Sequence, residues 1–253
     1  MPSPPPLALA YHGVADVPLS EDPHGLFVRP RDLRRHIRAL RRWGYELVTF
    51  GELAARAAEG RGPGSAALTF DDGLADNLHQ LVPVLREEGA RATVFVVSDW
   101  LGKPYPYRSQ TRMLTTEELL DLHRAGVEIG GHTATHPDLT TLDGAAAERD
   151  LRRGREALGE LLGTEVDVLA YPFGRATEET RAAAARAGFR AACRTSANGS
   201  WSDALNLPRQ DMDNPGTMFG LRLKRDDRYE PLMRTSPGRA LRRAVRVAKD
   251  VVR

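Results

Sequence analysis

A single cysteine, Cys193, stands among 253 residues, so no internal disulfide can staple the fold. It reads as a small buried hydrophobe on a strand. No run of about 18 apolar residues occurs, which excludes a membrane-spanning helix. Met1 to Pro6 is proline-rich without a basic flank, and Leu7 to Tyr11 is too short for the apolar part of a secretory signal. The expectation is a soluble, cytoplasmic protein. Neither sign of charge dominates: the net charge is +2, which gives no global bias toward nucleic acid. Repeats and low-complexity segments are missing. Histidine is sparse as well, with seven in the chain and none after His136. What is present suffices for a large core: 41% of residues are hydrophobic, in a length that α/β barrels commonly fill as one unit.

Short apolar runs alternate with helical patterns. Strands are expected at Leu7–Tyr11, Glu46–Thr49, Ala66–Phe70, Thr93–Val97, Val127–Ile129, Val166–Tyr171, Phe189–Cys193 and, more weakly, Leu205–Gln210. Between them, Pro30 opens a helix with Leu33, Ile37 and Leu40 on one face, and a short helix covers Phe50–Glu59. Further helices follow at Leu78–Gly89, from Thr115 (with Glu118 placed for a capping box) to Gly126, at Asp143–Leu162 and at Thr177–Ala187. Val14–Val28 reads as a loop, and Asp99–Arg112 as a lid or substrate wall. Such alternation implies a parallel sheet. The polar residues His12, Asp71, Asp72, His132, His136 and Tyr171 all follow strands, on the rim where β/α barrels gather active sites.

Two of these segments carry the chemistry. In Leu68-Thr69-Phe70-Asp71-Asp72-Gly73 a buried strand ends in two adjacent carboxylates, which persist side by side where a cation or a proton-transfer task offsets their repulsion. In Gly130-Gly131-His132-Thr133-Ala134-Thr135-His136-Pro137 two imidazoles complete a divalent-metal donor set with room for water. Such a set could also hold Fe(II) in an oxygenase, but the adjacent second carboxylate argues for hydrolysis.

With Tyr171-Pro172-Phe173-Gly174 as a third motif, the chain resembles the polysaccharide deacetylases of carbohydrate esterase family 4, which share the NodB-homology domain. The resemblance covers roughly Leu7 to Arg209. It implies a distorted (β/α)7 barrel and hydrolytic removal of N-acetyl groups from a glycan, polysaccharide or sugar intermediate. It also implies one divalent ion, with zinc expected and cobalt, nickel or manganese as alternatives. Carried over by motif, Asp72, His132 and His136 would hold the metal, and Asp71 would be the general base. The oxyanion would lie near a backbone N–H of the Tyr171-Pro172-Phe173 segment.

Two departures from the family pattern stand out. The arginine that restrains the catalytic aspartate is replaced by Ala170, and Arg209 could stand in for it. The late histidine that protonates the leaving amine is missing. His12, on the first strand of a closed barrel, neighbours the last strand and is the replacement acid. Leu9-Ala10-Tyr11-His12 resembles the opening of a subgroup with that acid motif at the N-terminus. Tyr105, Tyr107 and Trp201 could stack on sugar rings or simply pack their loops. His24, His36, His79 and His123 read as surface or interface residues. Residues 1–233 are expected to form the barrel. Residues 234–253 would form a basic amphipathic tail, with seven Arg/Lys against one Asp, either packing on the barrel as a solvated terminal helix or touching an acidic membrane surface. Two other readings stay open: an amide or imide hydrolase on a non-sugar substrate, and a carbohydrate-binding module with a decayed site.

Overall fold

The computed structural model describes residues 3–235 apart from 23, 109, 197–198, 213–216 and 227. All of the expected tail beyond residue 235 therefore lies outside the described residues. Strand β1 (Leu7–Tyr11) is followed by two short strands, β2 (Gly13–Val14) and β3 (Phe27–Val28), which pair with each other in the segment expected to be a loop. Two residues are too few to show a period, so only the tertiary fold could bring them together. Then come α1 (Pro30–Arg42), β4 (Glu46–Val48), α2 (Phe50–Ala58) and β5 (Ser65–Phe70). A π-helical turn at Asn77–Leu81 leads into α3 (Val82–Glu88), and β6 (Thr93–Val96), α4 (Thr116–Arg124) and β7 (Glu128–Gly131) follow. The long α5 (Gly144–Leu162), β8 (Val168–Ala170), α6 (Glu178–Arg186), β9 (Ala191–Thr195) and β10 (Leu207–Asp211) complete the alternation. Helices α7 (Met218–Arg225) and α8 (Tyr229–Arg234) close the described chain. No helix of the described residues is long and apolar enough to cross a membrane.

Seven strands form a closed parallel ring in the order β1, β5, β6, β7, β8, β9, β10, with β10 pairing back onto β1. The distortion sits at β5. One edge pairs with β1 along Ala66–Phe70; the other is shared, with β4 beside Ser65–Ala67 and β6 beside Thr69–Phe70. Strand β4 is thus wedged into the lower half of the wall, outside the ring of seven.

Strand pleating sorts each β segment onto two faces. Leu7, Leu9, Leu68, Phe70, Val94, Val96 and Leu169 point outward into the large core under the helices. Ala8, Ala67, Phe95, Val168, Ala170, Ala191, Cys193 and Leu207 point inward, and Phe50 and Leu53 of α2 pack against them. The next inward positions toward the strands' C-terminal ends are Ala10, His12, Asp71, His132, Arg209 and Asp211. Alternation alone therefore aims most of the polar set into the barrel mouth. His36 corrects the surface expectation: it lies on the same face of α1 as Leu33, Ile37 and Leu40, fully buried, with Nδ1 3.1 Å from the Tyr11 hydroxyl.

Candidate metal centre and active site

In a regular strand, Asp71 and Asp72 would point to opposite faces. Here the chain turns left-handed at Asp72 (φ 76°) and Gly73 (φ 85°), and both carboxylates line one cavity. Thr133, His136 and Phe173 also have positive φ. Among the described residues, every non-glycine in this costly conformation thus belongs to one of the three motifs. The histidine loop is held open by α5. Asp150 accepts from the Ala134 and Thr135 N–H groups at 2.9 and 3.3 Å and from the Thr135 hydroxyl at 2.7 Å. Thr133 Oγ1 accepts from the His136 N–H at 2.8 Å.

The result is a donor set. Asp72 Oδ1 lies 3.5 Å from His132 Nε2 and 3.7 Å from His136 Nε2. The three ligating atoms all fall within 4.8 Å of one another. His132 Nδ1 is 2.7 Å from the Ala170 carbonyl, so Nδ1 carries the proton and Nε2 presents its lone pair to the centre. Burial pushes the His132 imidazole down to about 4, and burial together with His132 does the same for His136. Both rings are therefore neutral at pH 7, the form that coordinates. Asp72 Oδ1 is buried with no hydrogen-bond partner among the described residues. A buried carboxylate oxygen left so is costly unless something cationic meets it. An orphaned oxygen facing two imidazole lone pairs fits a divalent cation.

Asp71 sits beside this set without belonging to it. Arg209, fully buried, donates to both its oxygens at 2.6 and 2.8 Å and to Thr69 Oγ1 at 3.0 Å, with the guanidinium over the Phe95 ring. Thr69 in turn donates to the Leu9 carbonyl at 2.8 Å. Burial by itself would raise the Asp71 carboxyl, but Arg209, with help from His132, holds it well below the usual carboxylate range. Arg209 is thus brought to the place the Ala170 gap leaves open; it grips Asp71 and does not line the cavity.

The cavity measures about 320 Å³ and is bounded by His12, Asp71, Asp72, His132 and His136, with Leu26, Tyr107, Phe173, Thr195 and Asp211 around them. His12 is half-buried, and its carbonyl accepts from Asn77 Nδ2 at 3.1 Å. The Tyr171 N–H corrects one expectation: it donates to the Cys193 carbonyl at 3.0 Å and is not available to an oxyanion. The Tyr171 side chain is buried, with its hydroxyl on the Leu205 carbonyl. Pro172 has no N–H to offer, which leaves Phe173, whose ring lies half-exposed with its centroid 4.8 Å from that of His136.

Tyr105 takes the packing alternative. It is buried, not a stacking surface, and its hydroxyl donates to Asp72 Oδ2 at 2.6 Å. Burial, reinforced by the Asp72 charge, keeps that phenol protonated. Tyr107 does face the cavity, whereas Trp201 packs against the inner-barrel cluster. The Asp99–Arg112 segment forms a wall: Pro104 bridges Arg112 within it, and its ends are tied to the rest by the Ala75 N–H on the Arg112 carbonyl and the Asp99 N–H on the Ala134 carbonyl, both at 3.0 Å. Cys193, pushed up to about 12 by burial, is an inert thiol within the barrel. Sequence reasoning missed Asp150, Asp211 and the Tyr105–Asp72 bond. Only Asp211 left a signal, being two residues beyond Arg209 on the inward face of β10.

Comparison with known proteins agrees with this geometry. Residues 58–192 match the family model described as polysaccharide deacetylase. A Bacillus subtilis (strain 168) protein, YxkH, whose name assigns it provisionally to the polysaccharide deacetylases, is 25% identical over 218 residues, 84% of this chain and 74% of its own. A chitin deacetylase from Pestalotiopsis is 32% identical over 111 residues, 44% of this chain and 35% of its own. The structure of Streptococcus pyogenes deacetylase PplD in complex with acetate superposes with a TM-score of 0.76 at 22% identity, covering 88% of this chain and 99% of that one, a likeness of fold. By the family match across more than half its length, and with its three motifs gathered at one barrel mouth, this chain belongs to the polysaccharide deacetylase family.

Proposed function

We propose that this protein is a divalent-metal-dependent N-deacetylase of an N-acetylated glycan or sugar intermediate, with zinc as the metal. The observation that carries the reading is the orphaned Asp72 Oδ1 facing two imidazole nitrogens, with the Arg209-held Asp71 carboxylate alongside. Asp72, His132 and His136 would hold the ion, which when bound polarises the acetyl carbonyl and acidifies a water.

The remaining work falls to the chain's own residues. Asp71 is ionised throughout the neutral range and takes the proton from the attacking water. Its low pKa makes it a weak base, but Arg209 fixes its direction. The Phe173 N–H would donate to the developing oxyanion. The C–N bond then breaks, and the nitrogen needs a proton because an amide anion is a very poor leaving group. His12, which lines the cavity just after β1, supplies it. On this reading the chain would belong to the subgroup that lacks the late histidine. Tyr107 and Phe173 offer aromatic surface at the rim that suits the C–H faces of a sugar. The names of the relatives, chitin deacetylase among them, support a sugar substrate.

The test is acetate release from N-acetylated sugars offered free, nucleotide-linked and polymeric, using zinc-loaded protein. Release from one class, abolished in Asp71→Asn while zinc content stays at wild-type level, is the expected result. A zinc-loaded protein that releases acetate from none of them, or equal turnover by Asp71→Asn, would overturn the reading.

A further inference from the structure

The wall between β6 and α4 supplies no ligand, yet it touches two of the three residues that form the donor set. We infer that Tyr105 is a positioning residue for the metal centre: its hydroxyl ties down one oxygen of Asp72, so that the carboxylate presents a single atom, Oδ1, to the cation. The inference rests on the reading of Asp72, His132 and His136 as a cation site.

A carboxylate with both oxygens free can hold one cation through either atom or both, whereas a short charge-assisted hydrogen bond commits one oxygen elsewhere. The Tyr105 hydroxyl makes such a bond to Oδ2 at 2.6 Å, and Oδ1 is the oxygen that faces both imidazoles. The tyrosine is itself firmly held. It is 2% exposed, packs with Phe27, Leu74 and Met113, and its N–H donates to the Thr111 carbonyl at 2.9 Å. Trp100, edge-on to the Tyr105 ring, lies 4.9 Å from the His136 ring. The same wall thus braces a second donor. A carboxylate so tied would leave more of a bound ion's coordination sphere for water and the acetyl oxygen, which hydrolysis requires.

The experiment compares wild type with Tyr105→Phe, which removes only the hydroxyl. Zinc affinity is measured by competition with a chromophoric chelator, starting from chelator-stripped protein. The visible absorption of the cobalt-loaded forms reports the coordination sphere. The expected result is zinc binding weakened roughly 10–100-fold, still at one ion per chain, with a changed cobalt spectrum. A merely structural role would not move that spectrum. Tyr45→Phe is the control: its hydroxyl is buried without a hydrogen-bond partner among the described residues and lies outside the cavity, and both readouts should stay at wild-type values. Tyr105→Phe binding zinc as tightly as wild type or more tightly, or giving an unchanged cobalt spectrum, would overturn the inference while leaving the metal site standing. Wild-type protein that takes up no zinc or cobalt would overturn the metal reading itself, and this inference with it.

Discussion

Arg209→Met removes the cation that holds Asp71 while keeping much of the side chain's volume. The pair is deeply buried, and the guanidinium makes two bonds to the carboxylate at 2.6 and 2.8 Å. Breaking a buried pair by deleting one partner costs about 3–5 kcal/mol, because the remaining charge is left uncompensated. For a chain of this size about 2–4 °C accompanies each kcal/mol, so the metal-free variant should melt roughly 10 °C below wild type. The sign of the pH effect follows from burial. In wild type the Asp71 carboxyl is depressed, so its contribution to stability is present above the usual carboxylate range and disappears only as pH falls through the lower folded value. In the variant burial is opposed only by the pull of His132 and His12, so the carboxyl rises relative to wild type and Asp71 begins to protonate at higher pH. The acid limb of kcat/KM for acetate release should therefore move upward, and the loss of rate should be partly recovered by raising the pH. Asp71→Asn in the Arg209→Met background should restore part of the lost stability by removing the stranded charge. Melting is followed by circular dichroism on stripped protein, and the pH profile on zinc-loaded protein. An unchanged melting temperature together with an unchanged acid limb would refute the claim that Arg209 holds the base.

His12→Ala should retain zinc by elemental analysis while turnover falls on the order of 100-fold or more; unchanged turnover would remove His12 from the mechanism. Because burial lowers His132 and His136 from 6.5 to about 4, the unfolded chain binds more protons than the folded one between those values. Metal-free protein should therefore lose stability as pH falls from 6.5 toward 4, and urea midpoints across that window check the slope. His132→Ala should flatten it. Gly154→Ala would ordinarily favour a helix by about 1 kcal/mol. At this position of α5, though, a Cβ would come within 2.7 Å of the Thr133 carbonyl carbon and 2.8 Å of the Ala134 nitrogen. The variant should push the histidine loop away from Asp72 and weaken zinc binding, as read by chelator competition; stabilisation with unchanged affinity would show that the loop does not depend on this contact.

Much of the barrel and the three motifs could be read along the chain because each rests on neighbouring residues. Asp71 with Asp72, and His132 with His136, are local groupings whose chemistry shows without a fold. The strands announced themselves by apolar runs, and helix α4 by its Thr115–Glu118 capping box. Other features depend on meetings across the chain. Arg209 reaches Asp71 across 138 residues and Tyr105 reaches Asp72 across 33, and nothing in either local sequence names its partner. The wedging of β4 against half of β5, the parallel β2–β3 pair and the donation of the Tyr171 N–H to Cys193 are likewise matters of register. The amino-acid order by itself determined which residues could do the chemistry, because side-chain type and strand period are local properties. Only the closed barrel decided which carboxylate meets a cation site and which meets an arginine, because hydrogen bonding and desolvation are set by neighbours in space.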